Sequence, residues 1–519
     1  MSVRGAWEVG AGLAPARAAR PIRARERIHV VGAQGAGASA AALLAAWAGA
    51  DVDGCDPGGP SQYTPALDAC GIVVAPDHDP AHVSGLRPPD RLAVTKALTA
   101  VDPDHPELAA ARAAGIPLEP WQQIVADAAA GRTLVAVAGT HGKSTSAGWL
   151  VHTLVAAGTD PGAFVGALLP AELTGIGVAA TARRGAGRPF VVEADEYAGN
   201  FDPYRPDVIV LTSAEWDHPD VFEDQAAVLA AFETWIRRAG EVPEQAAGVS
   251  VGADGEGKRR PPTLVANVAD PGVAELVARL ADWPGRIIAT AVDTAIPPPG
   301  ERALVGRITA ADRDGTRLQV TWDGRSHEVR LPTAGRHNAA NALGVLGGAL
   351  ALGVDVDTAL DGLASFAGVG RRLERKGEAR GVVVYDDYGH HPTAIRETLA
   401  AVRQREPGRR VWAVYEPLTY HRTAAMLDAF ADVLAAADGV VIARIWAGRD
   451  PDTTITSAAA LAEAAGARAP GIPVAAPGTV EETAAWLAGN VQAGDAVLVM
   501  GGGRSYRIGE LLLELLEAG

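Results

Sequence analysis

Residues 133–150, TLVAVAGTHGKSTSAGWL, constrain the fold more strongly than any other stretch of this 519-residue chain. An apolar segment runs directly into a glycine-rich loop, and a segment of helical composition follows it; the loop comprises Gly139, Thr140, His141, Gly142, Lys143, Ser144 and Thr145. This order is typical of a nucleotide-phosphate site, where the glycines let backbone N–H groups face phosphate oxygens. Lys143 offers a positive charge to the outer phosphates, and Ser144 offers a hydroxyl to Mg²⁺. The loop therefore predicts a triphosphate site, for which ATP is the expected ligand.

The alternative interpretation of this loop is a strand-to-helix turn with a chance lysine. Lysine occurs only at positions 96, 143, 258 and 376, so 42 of the 46 basic residues (46 − 4) are arginine. This chain uses arginine almost everywhere, yet it has lysine at position 143 in the loop. The compact ammonium of lysine is chemically different from the planar guanidinium of arginine, so the choice of lysine indicates a specific role. The composition therefore favours the phosphate loop.

Length and charge narrow the class of protein. A chain of 519 residues predicts about three domains. The net charge of 46 − 62 = −16 argues against nucleic acid or an anionic membrane as the partner. Two cysteines, Cys55 and Cys70, fit a reducing cytoplasm, and no apolar run reaches the ~18 residues of a spanning helix. Residues 1–26 carry five arginines among Ala, Gly and Pro and are predicted to be a disordered leader.

A second glycine loop follows the first predicted strand, 27–31. Gly32, Gly35 and Gly37 open an Ala-rich helix, and Asp56 follows about 20 residues later, as in a dinucleotide-type βαβ unit. A tight turn that binds nothing explains the same pattern. The unit predicts a Rossmann-like N-terminal domain over residues 27–130.

Two later strands, 189–192 and 208–212, end in polar clusters. Because ligands lie beyond the carboxyl ends of parallel strands, Glu193 and His218 are candidates to reach a metal bound to the phosphates held at Lys143 and Ser144. A solvated turn carboxylate and a surface histidine are the alternatives. These strands belong to a predicted mixed α/β ATPase-like central domain, 131–333, in which residues 238–260 are expected to form a mobile loop.

The third predicted domain, 334–519, opens with Gly335, Arg336, His337, Asn338, Ala339, Ala340 and Asn341. Asn338 and Asn341 lie three apart on one helix face, a geometry suited to an adenine edge, whereas helix capping would explain one asparagine. Alternating strands and helices then continue to the end of the chain. The domain is therefore predicted to be Rossmann-like as well, and the whole chain to be a three-domain α/β protein.

The ordered motifs GTHGKST, EADEY, EWDHPD, GRHNAANA, GVGRR, DDYGHHPTAI, EPLTYHRT and GDAVLVMGGG resemble those of the Mur ligase family over about residues 27–515. The resemblance implies a cytoplasmic, ATP- and Mg²⁺-dependent ligase of peptidoglycan precursor synthesis that is a monomer or a homodimer. It would join L-alanine to the lactoyl carboxylate of UDP-N-acetylmuramate through an acyl phosphate. Domain closure would assemble the ATP site.

The resemblance also assigns roles to residues. Lys143 would hold the β- and γ-phosphates, and Ser144 and Glu193 would ligate Mg²⁺. His218 would join a second metal or orient the acyl phosphate. His337, Asn338 and Asn341 would take the adenine side, and Arg372 and Asp387 the ribose and phosphates. His390 and Arg422 would bind the amino acid, and Gly35, Ala36, Gly37 and Asp56 would face the UDP group.

Two alternatives stay open within this family. Members that add later amino acids typically hold a second metal with a carbamylated lysine, yet no lysine lies between 143 and 258. This absence favours either the alanine-adding type or the ligase that attaches a recycled murein tripeptide to UDP-N-acetylmuramate. A catalytically silent nucleotide- or UDP-sugar-binding member is the other alternative.

The sequence departs from the family pattern at several positions. The first glycine loop differs, and Cys55 stands where a serine is expected. Thr419 replaces a frequent arginine, and Arg504 replaces an acid.

Overall fold

The computed structural model describes residues 5–85, 87–240, 261–294, 302–448, 450 and 452–518. Most of the predicted loop 238–260 lies outside these residues. Three separate sheets organise the described chain, with five, ten and six strands. Among the described helices, none is long and apolar enough to cross a membrane.

The first sheet is parallel throughout, in the order β3-β2-β1-β4-β5. Its strands are β1 Arg27–Val31, β2 Asp51–Cys55, β3 Val74–Ala75, β4 Arg91–Val94 and β5 Leu118–Pro120. The accompanying helices are α1 Ala6–Val9, α2 Ala36–Trp47, α3 Thr64–Ala69, α4 Ala81–Ser84, α5 Lys96–Thr99, α6 Pro106–Ala113 and α7 Trp121–Ala128. The small side chains of α2 allow it to pack closely, and eight of its twelve residues are buried.

The central sheet is mixed, in the order β15-β14-β13-β12-β11-β10-β6-β9-β7-β8. Its strands are β6 Thr133–Ala138, β7 Gly162–Leu169, β8 Ala180–Arg183, β9 Pro189–Ala194, β10 Val208–Leu211, β11 Thr263–Asn267, β12 Arg286–Val292, β13 Arg302–Asp312, β14 Gly315–Trp322 and β15 Arg325–Leu331. Its helices are α8 Lys143–Ala156, α9 Ala171–Thr174, α10 Gln225–Arg237, α11 Pro271–Arg279, α12 Arg336–Ala351 and α13 Val356–Ala364, with a 3-10 turn at Tyr197–Gly199. The strand β6 lies between β9 and β10, so the polar ends of these three strands meet at one sheet edge.

The third sheet has the order β16-β17-β21-β18-β19-β20 and is parallel except for β16. Its strands are β16 Glu374–Ala379, β17 Val382–Asp387, β18 Arg410–Glu416, β19 Gly439–Ala443, β20 Val474–Gly478 and β21 Asp495–Gly501. Its helices are α14 Pro392–Arg405, α15 Tyr420–Ala425, α16 Leu427–Leu434, α17 Ala458–Arg468, α18 Val480–Ala488 and α19 Ser505–Ala518. Apolar clusters cover both faces of this sheet.

The helix α12 corrects the predicted boundary between residues 333 and 334. Leu343 and Leu346 of α12 are fully buried in one hydrophobic cluster with Val135 of β6 and Val210 of β10. The predicted boundary therefore cuts through a single core, and α12 and α13 pack with the central sheet rather than with the third.

The predicted disordered leader is also corrected over its described part, residues 5–26. Arg17 lies 2.7 Å from Glu119 and 2.6 Å from Asp127, both on the first sheet and its helix α7. Further back, the carbonyl of Val9 accepts a hydrogen bond from the Thr99 hydroxyl at 2.7 Å. These side-chain partners hold the segment against the first sheet, because each buried carboxylate is paired with an arginine.

Candidate active site

The phosphate loop has a backbone that only glycine adopts without strain. Gly139 has φ +130°, and a Cβ there would lie 2.4 Å from the Thr212 hydroxyl oxygen. Gly142 has φ +78° and precedes α8 directly, and a Cβ there would lie 2.5 Å from Asn341 Oδ1. The loop thus leads β6 tightly into the positive end of α8, where an anion is stabilised.

Lys143 is the first residue of α8, and its ammonium meets two carboxylates. Its Nζ lies 3.0 Å from Glu196 Oε2 and 3.5 Å from Asp195 Oδ1. Burial opposes the charge, but the carboxylates of Glu196, Asp195 and Glu193 raise the pKa of Lys143 above its usual value. Burial raises the pKa of Glu196 to about 7, although Lys143 opposes this shift. A fixed cation is therefore held at the loop.

Ser144, Glu193 and Arg372 form a chain of contacts beside this lysine. The Ser144 hydroxyl donates to Glu193 Oε1 at 3.0 Å, and Arg372 Nη2 donates to Ser144 Oγ at 2.8 Å. The backbone N–H of Gly166 fixes the other Glu193 oxygen at 2.6 Å. Arg372 lies just before β16, so the third sheet contributes a cation to the phosphate loop of the central sheet.

His218, Asp217 and Arg422 make a second junction between these two sheets. Arg422 Nε donates to Asp217 Oδ1 at 2.9 Å, and its Nη2 lies 3.1 Å from His218 Nδ1. Burial opposes ionisation of Asp217, yet Arg422 and His218 hold the pKa of this carboxyl well below its usual range. The remaining ring nitrogen of His218 lies 3.9 Å from Glu196 Oε1.

His390 and His391 follow β17; His390 is half-buried and His391 is buried. His390 Nδ1 lies 2.8 Å from the Tyr388 carbonyl, so this nitrogen carries the proton and Nε2 is the acceptor. Burial and the neighbouring Arg422 hold the pKa of His390 well below its usual value. Burial and the adjacent His141 ring, 4.5 Å away, lower the pKa of His391 to about 4.

The residues predicted for the adenine side are only partly brought together. His337 and Asn338 line a cavity of about 760 Å³, and the other predicted ligands that line it are Thr145, Arg372 and Asp387. Asn338 Nδ2 donates to the Ala334 carbonyl at 2.7 Å. The helix α12 begins after Gly335 without a side-chain cap, so helix capping does not account for either asparagine. Asn341 donates to Asn338 Oδ1 at 3.3 Å and faces Gly142 of the phosphate loop.

A neighbouring cavity of about 610 Å³ collects the remaining candidates. Its lining comes from all three sheets and includes Ala36, Gly37, Thr140, His141, Gly142, Lys143, Ser144, Glu193, His218, Arg372, His390 and Arg422. Gly35 and Asp56 are not among its lining residues. Asp56 instead accepts a hydrogen bond from the Gln34 backbone at 2.9 Å, which shapes the first glycine loop.

Two family models match the chain. The model described as Mur ligase family, catalytic domain, covers residues 27–133, and the model described as Mur ligase, glutamate ligase domain, covers residues 371–503. The UDP-N-acetylmuramate–L-alanine ligase of Mycobacterium sp. (strain JLS) is 36% identical over 501 residues, which is 95% of each chain. The chain belongs to the Mur ligase family.

Solved structures agree with this fold. The UDP-N-acetylmuramate-alanine ligase of Thermotoga maritima aligns with a TM-score of 0.73 at 24% identity, over 95% of this chain and 99% of that one. A murein peptide ligase from Psychrobacter arcticus aligns with a TM-score of 0.68 at 25% identity, over 94% and 98%. The expected three-part α/β Mur ligase fold and family membership are therefore confirmed.

Sequence reasoning missed several residues of this candidate site. Glu196 and Asp195 pair with Lys143, while Asp217 pairs with Arg422. The motifs EADEY and EWDHPD could have indicated these acids, because each acid lies close to a residue already predicted for the site, Glu193 or His218. The motifs do not show which residue each of these side chains pairs with, because Asp217 and its partner Arg422 lie 205 residues apart in the sequence.

Proposed function

We propose that this protein joins L-alanine to the lactoyl carboxylate of UDP-N-acetylmuramate, with cleavage of ATP to ADP and phosphate, in peptidoglycan precursor synthesis. One observation carries the proposal. A single cavity presents the phosphate loop with Lys143 and Ser144, the acid Glu193, and Arg372, His390 and Arg422 from the third sheet. This arrangement suits a reaction that brings a triphosphate, a carboxylate and an amine together.

In the first step the substrate carboxylate attacks the γ-phosphoryl group, which gives an acyl phosphate and ADP. Lys143 and Arg372 would neutralise charge on the phosphates, which is supported by their positions in the lining of one cavity. Positioning and charge stabilisation are what phosphoryl transfer chiefly requires. The Ser144 hydroxyl and the Glu193 carboxylate, 3.0 Å apart beside the loop, fit the oxygen donors that Mg²⁺ prefers. The bound ion would screen phosphate charge, and His218 is the further proposed ligand.

In the second step the amine of L-alanine attacks the acyl carbonyl and phosphate leaves. Asp217 and Arg422 present opposite charges at one wall of the cavity, which complements the ammonium and carboxylate of a free amino acid. The neutral His390 ring lies at the same wall, with Nε2 as its hydrogen-bond acceptor. The proposed adenine and ribose site consists of His337, Asn338, Asn341 and Asp387. The proposed UDP site consists of Gly35, Ala36, Gly37 and Asp56.

The deciding experiment measures phosphate release from Mg²⁺-ATP and UDP-N-acetylmuramate with either L-alanine or L-Ala-γ-D-Glu-diaminopimelate as the amine. Turnover with L-alanine is expected. Turnover with the tripeptide alone would move the protein to cell-wall recycling, and turnover with neither would favour a silent binding protein. The alanine reaction has the stronger support, because the 36%-identical mycobacterial relative carries that name.

A further inference from the structure

A cluster of metal-binding side chains lies in the first sheet and takes no part in the proposed reaction. His29 comes from β1, Cys55 from the end of β2 and Glu107 from α6, while His78 and His82 come from the segment between β3 and β4. Cys55 and Glu107 are fully buried, and His29 is 3% exposed. None of the five lines the two cavities described above.

The donor atoms converge on a small volume. His29 Nε2 lies 3.3 Å from Cys55 Sγ and 3.0 Å from Glu107 Oε1. Cys55 Sγ lies 3.2 Å from Glu107 Oε2, and His82 Nδ1 lies 3.0 Å from Glu107 Oε1. One donor atom from each of these four residues falls within 4.8 Å of all the others. His78 Nδ1 is a fifth donor, 3.1 Å from the same sulfur.

Four of these separations lie close to the edges of a coordination tetrahedron, with Glu107 facing Cys55 through one carboxylate oxygen and the two histidines through the other. Zinc–nitrogen bonds of about 2.0–2.1 Å and zinc–sulfur bonds of about 2.3 Å place neighbouring tetrahedral ligands roughly 3.3–3.6 Å apart. The measured contacts of 3.0–3.3 Å need shifts of only a few tenths of an ångström. Thiolate, imidazole and carboxylate donors together favour Zn²⁺ over Mg²⁺ or Ca²⁺, which prefer oxygen donors alone.

Asp53 supplies the outer contact that metal-binding histidines usually have. Its Oδ1 lies 2.7 Å from His29 Nδ1. Because a carboxylate only accepts, Nδ1 carries the proton and Nε2 is directed at Cys55 and Glu107. A carboxylate that fixes the tautomer of a histidine ligand in this way is a common feature of zinc sites.

We infer that His29, Cys55, His82 and Glu107 form a structural site for one zinc ion, with His78 available as an exchangeable ligand. Binding removes the Cys55 thiol proton to solvent as the metal–sulfur bond forms. Four protein ligands close the coordination sphere, which is the pattern of structural rather than catalytic zinc. The ion would tie together β1, β2, α6 and the 76–84 segment.

The site also bears on the first glycine loop. The Cys55 carbonyl accepts hydrogen bonds from the Gly32 and Ala33 backbones at 2.9 and 3.1 Å. Metal at Cys55 would therefore hold this loop in place, and, if the proposed UDP role of the loop is right, metal loss would raise the KM for UDP-N-acetylmuramate. Metal binding is measured without substrate, so this experiment tests the zinc site independently of the proposed ligase activity.

The experiment uses the untagged full chain, stripped with a chelator, and titrates it with Co²⁺ in excess Mg²⁺. A thiolate-to-cobalt charge-transfer band that saturates at one equivalent is expected, as is one equivalent of tightly held zinc by elemental analysis. The Cys70→Ser variant is the matched control, because it leaves Cys55 as the one cysteine of the sequence. The clusters His141–Glu215–His391 and Asp195–Glu196–His218 contain no sulfur and give no such band.

Cys55→Ser is expected to remove the band, and Asp53→Asn to weaken Co²⁺ binding by about 10–100-fold, the usual effect of losing an outer-shell partner. The inference is overturned if Cys70→Ser shows no thiolate–cobalt band. It is also overturned if Cys55→Ser binds Co²⁺ with the spectrum of the unchanged protein. Should Cys55→Ser fail to fold, the Cys70→Ser spectrum decides the question alone.

Discussion

At the scale of single residues, substitution of Lys143 is the sharpest test of the proposed triphosphate site, because its ammonium is the fixed cation at the phosphate loop. Lys143→Ala is expected to lower the rate of phosphate release by roughly 10²–10³-fold, the usual effect of removing one preorganised charge-stabilising group. Binding of UDP-N-acetylmuramate, measured by calorimetry, is expected to stay within about twofold, because the proposed UDP loop belongs to the first sheet.

Lys143→Arg is the matched variant for this prediction. It keeps the charge but replaces a compact ammonium with a planar group, so phosphate release is expected to remain strongly impaired. Equal loss of phosphate release and UDP-substrate binding in a folded variant would contradict the assignment of the two sites.

His390 tests the amine side at the same scale. Its ring is neutral and anchored through Nδ1, so His390→Ala would remove the one polar contact that we propose it makes to the amino acid. The KM for L-alanine is expected to rise about fivefold or more, the equivalent of one hydrogen bond, while the KM for ATP changes little. His152→Ala, on the outer part of α8, is the control. A rise in the ATP KM alone would show that the amine pocket is misplaced.

At the scale of elements, local sequence patterns predict what forms but not always what it packs against. The strand 27–31 matches β1, and the predicted helix that carries Asn338 and Asn341 is α12, because apolar runs and residue spacing are local signals. The packing partner of α12 is not a local signal, because its buried leucines meet Val135 of β6 and Val210 of β10, which lie far earlier in the chain. The leader was also misjudged, because the carboxylates that hold Arg17 lie more than 100 residues away.

The buried ion cluster of the first sheet gives a prediction at this scale. Arg91 begins β4, is 1% exposed, and lies 2.7 Å from Glu119, 2.5 Å from Asp127 and 3.2 Å from Glu26. Arg91→Met leaves buried carboxylates short of a partner, so the free energy of unfolding is expected to fall by about 3–5 kcal/mol. Arg23→Met, at an arginine side chain that is 67% exposed beside the same Glu26, is expected to cost less than about 1 kcal/mol. Denaturant unfolding followed by fluorescence checks both values, and a similar cost for the two variants would contradict the prediction.

The acid dependence of stability follows from Glu26 of the same cluster. Burial opposes its charge, but Arg20, the Arg23 backbone and Arg91 lower the pKa of Glu26 from 4.5 to about 2. A lowered folded-state pKa stabilises the fold above the unfolded value, and this stabilisation is lost as the pH falls from 4.5 towards 2. Arg91→Met is therefore expected to lose less stability than the unchanged protein over this interval. Parallel loss in both proteins, measured by unfolding at several pH values, would contradict the role of Glu26.

At the scale of the whole molecule, the charged contacts of the candidate site form where the central and third sheets meet. Arg372 reaches Ser144, Arg422 reaches Asp217, and His391 lies 3.3 Å from the Trp216 carbonyl. Motifs in the sequence named most of these residues singly. Their pairing depends on how two separate sheets pack against each other, and no local pattern encodes that arrangement.

The packing of these two sheets against each other is therefore expected to depend on the buried Arg422–Asp217 pair, whose charged atoms lie 2.8 Å apart. Asp217→Asn leaves Arg422 as an uncompensated charge that is buried when the sheets meet and solvated when they separate. A cost of about 3 kcal/mol would shift the ratio of open to closed molecules by roughly 100-fold. Small-angle X-ray scattering is expected to show a larger radius of gyration for this variant without ligands, and ATP with UDP-N-acetylmuramate to reduce it. Asp428→Asn removes the same charge from an exposed pair with Arg468 and is expected to leave the radius unchanged. An unchanged radius for Asp217→Asn would mean that apolar contacts, rather than this ion pair, keep the two sheets together.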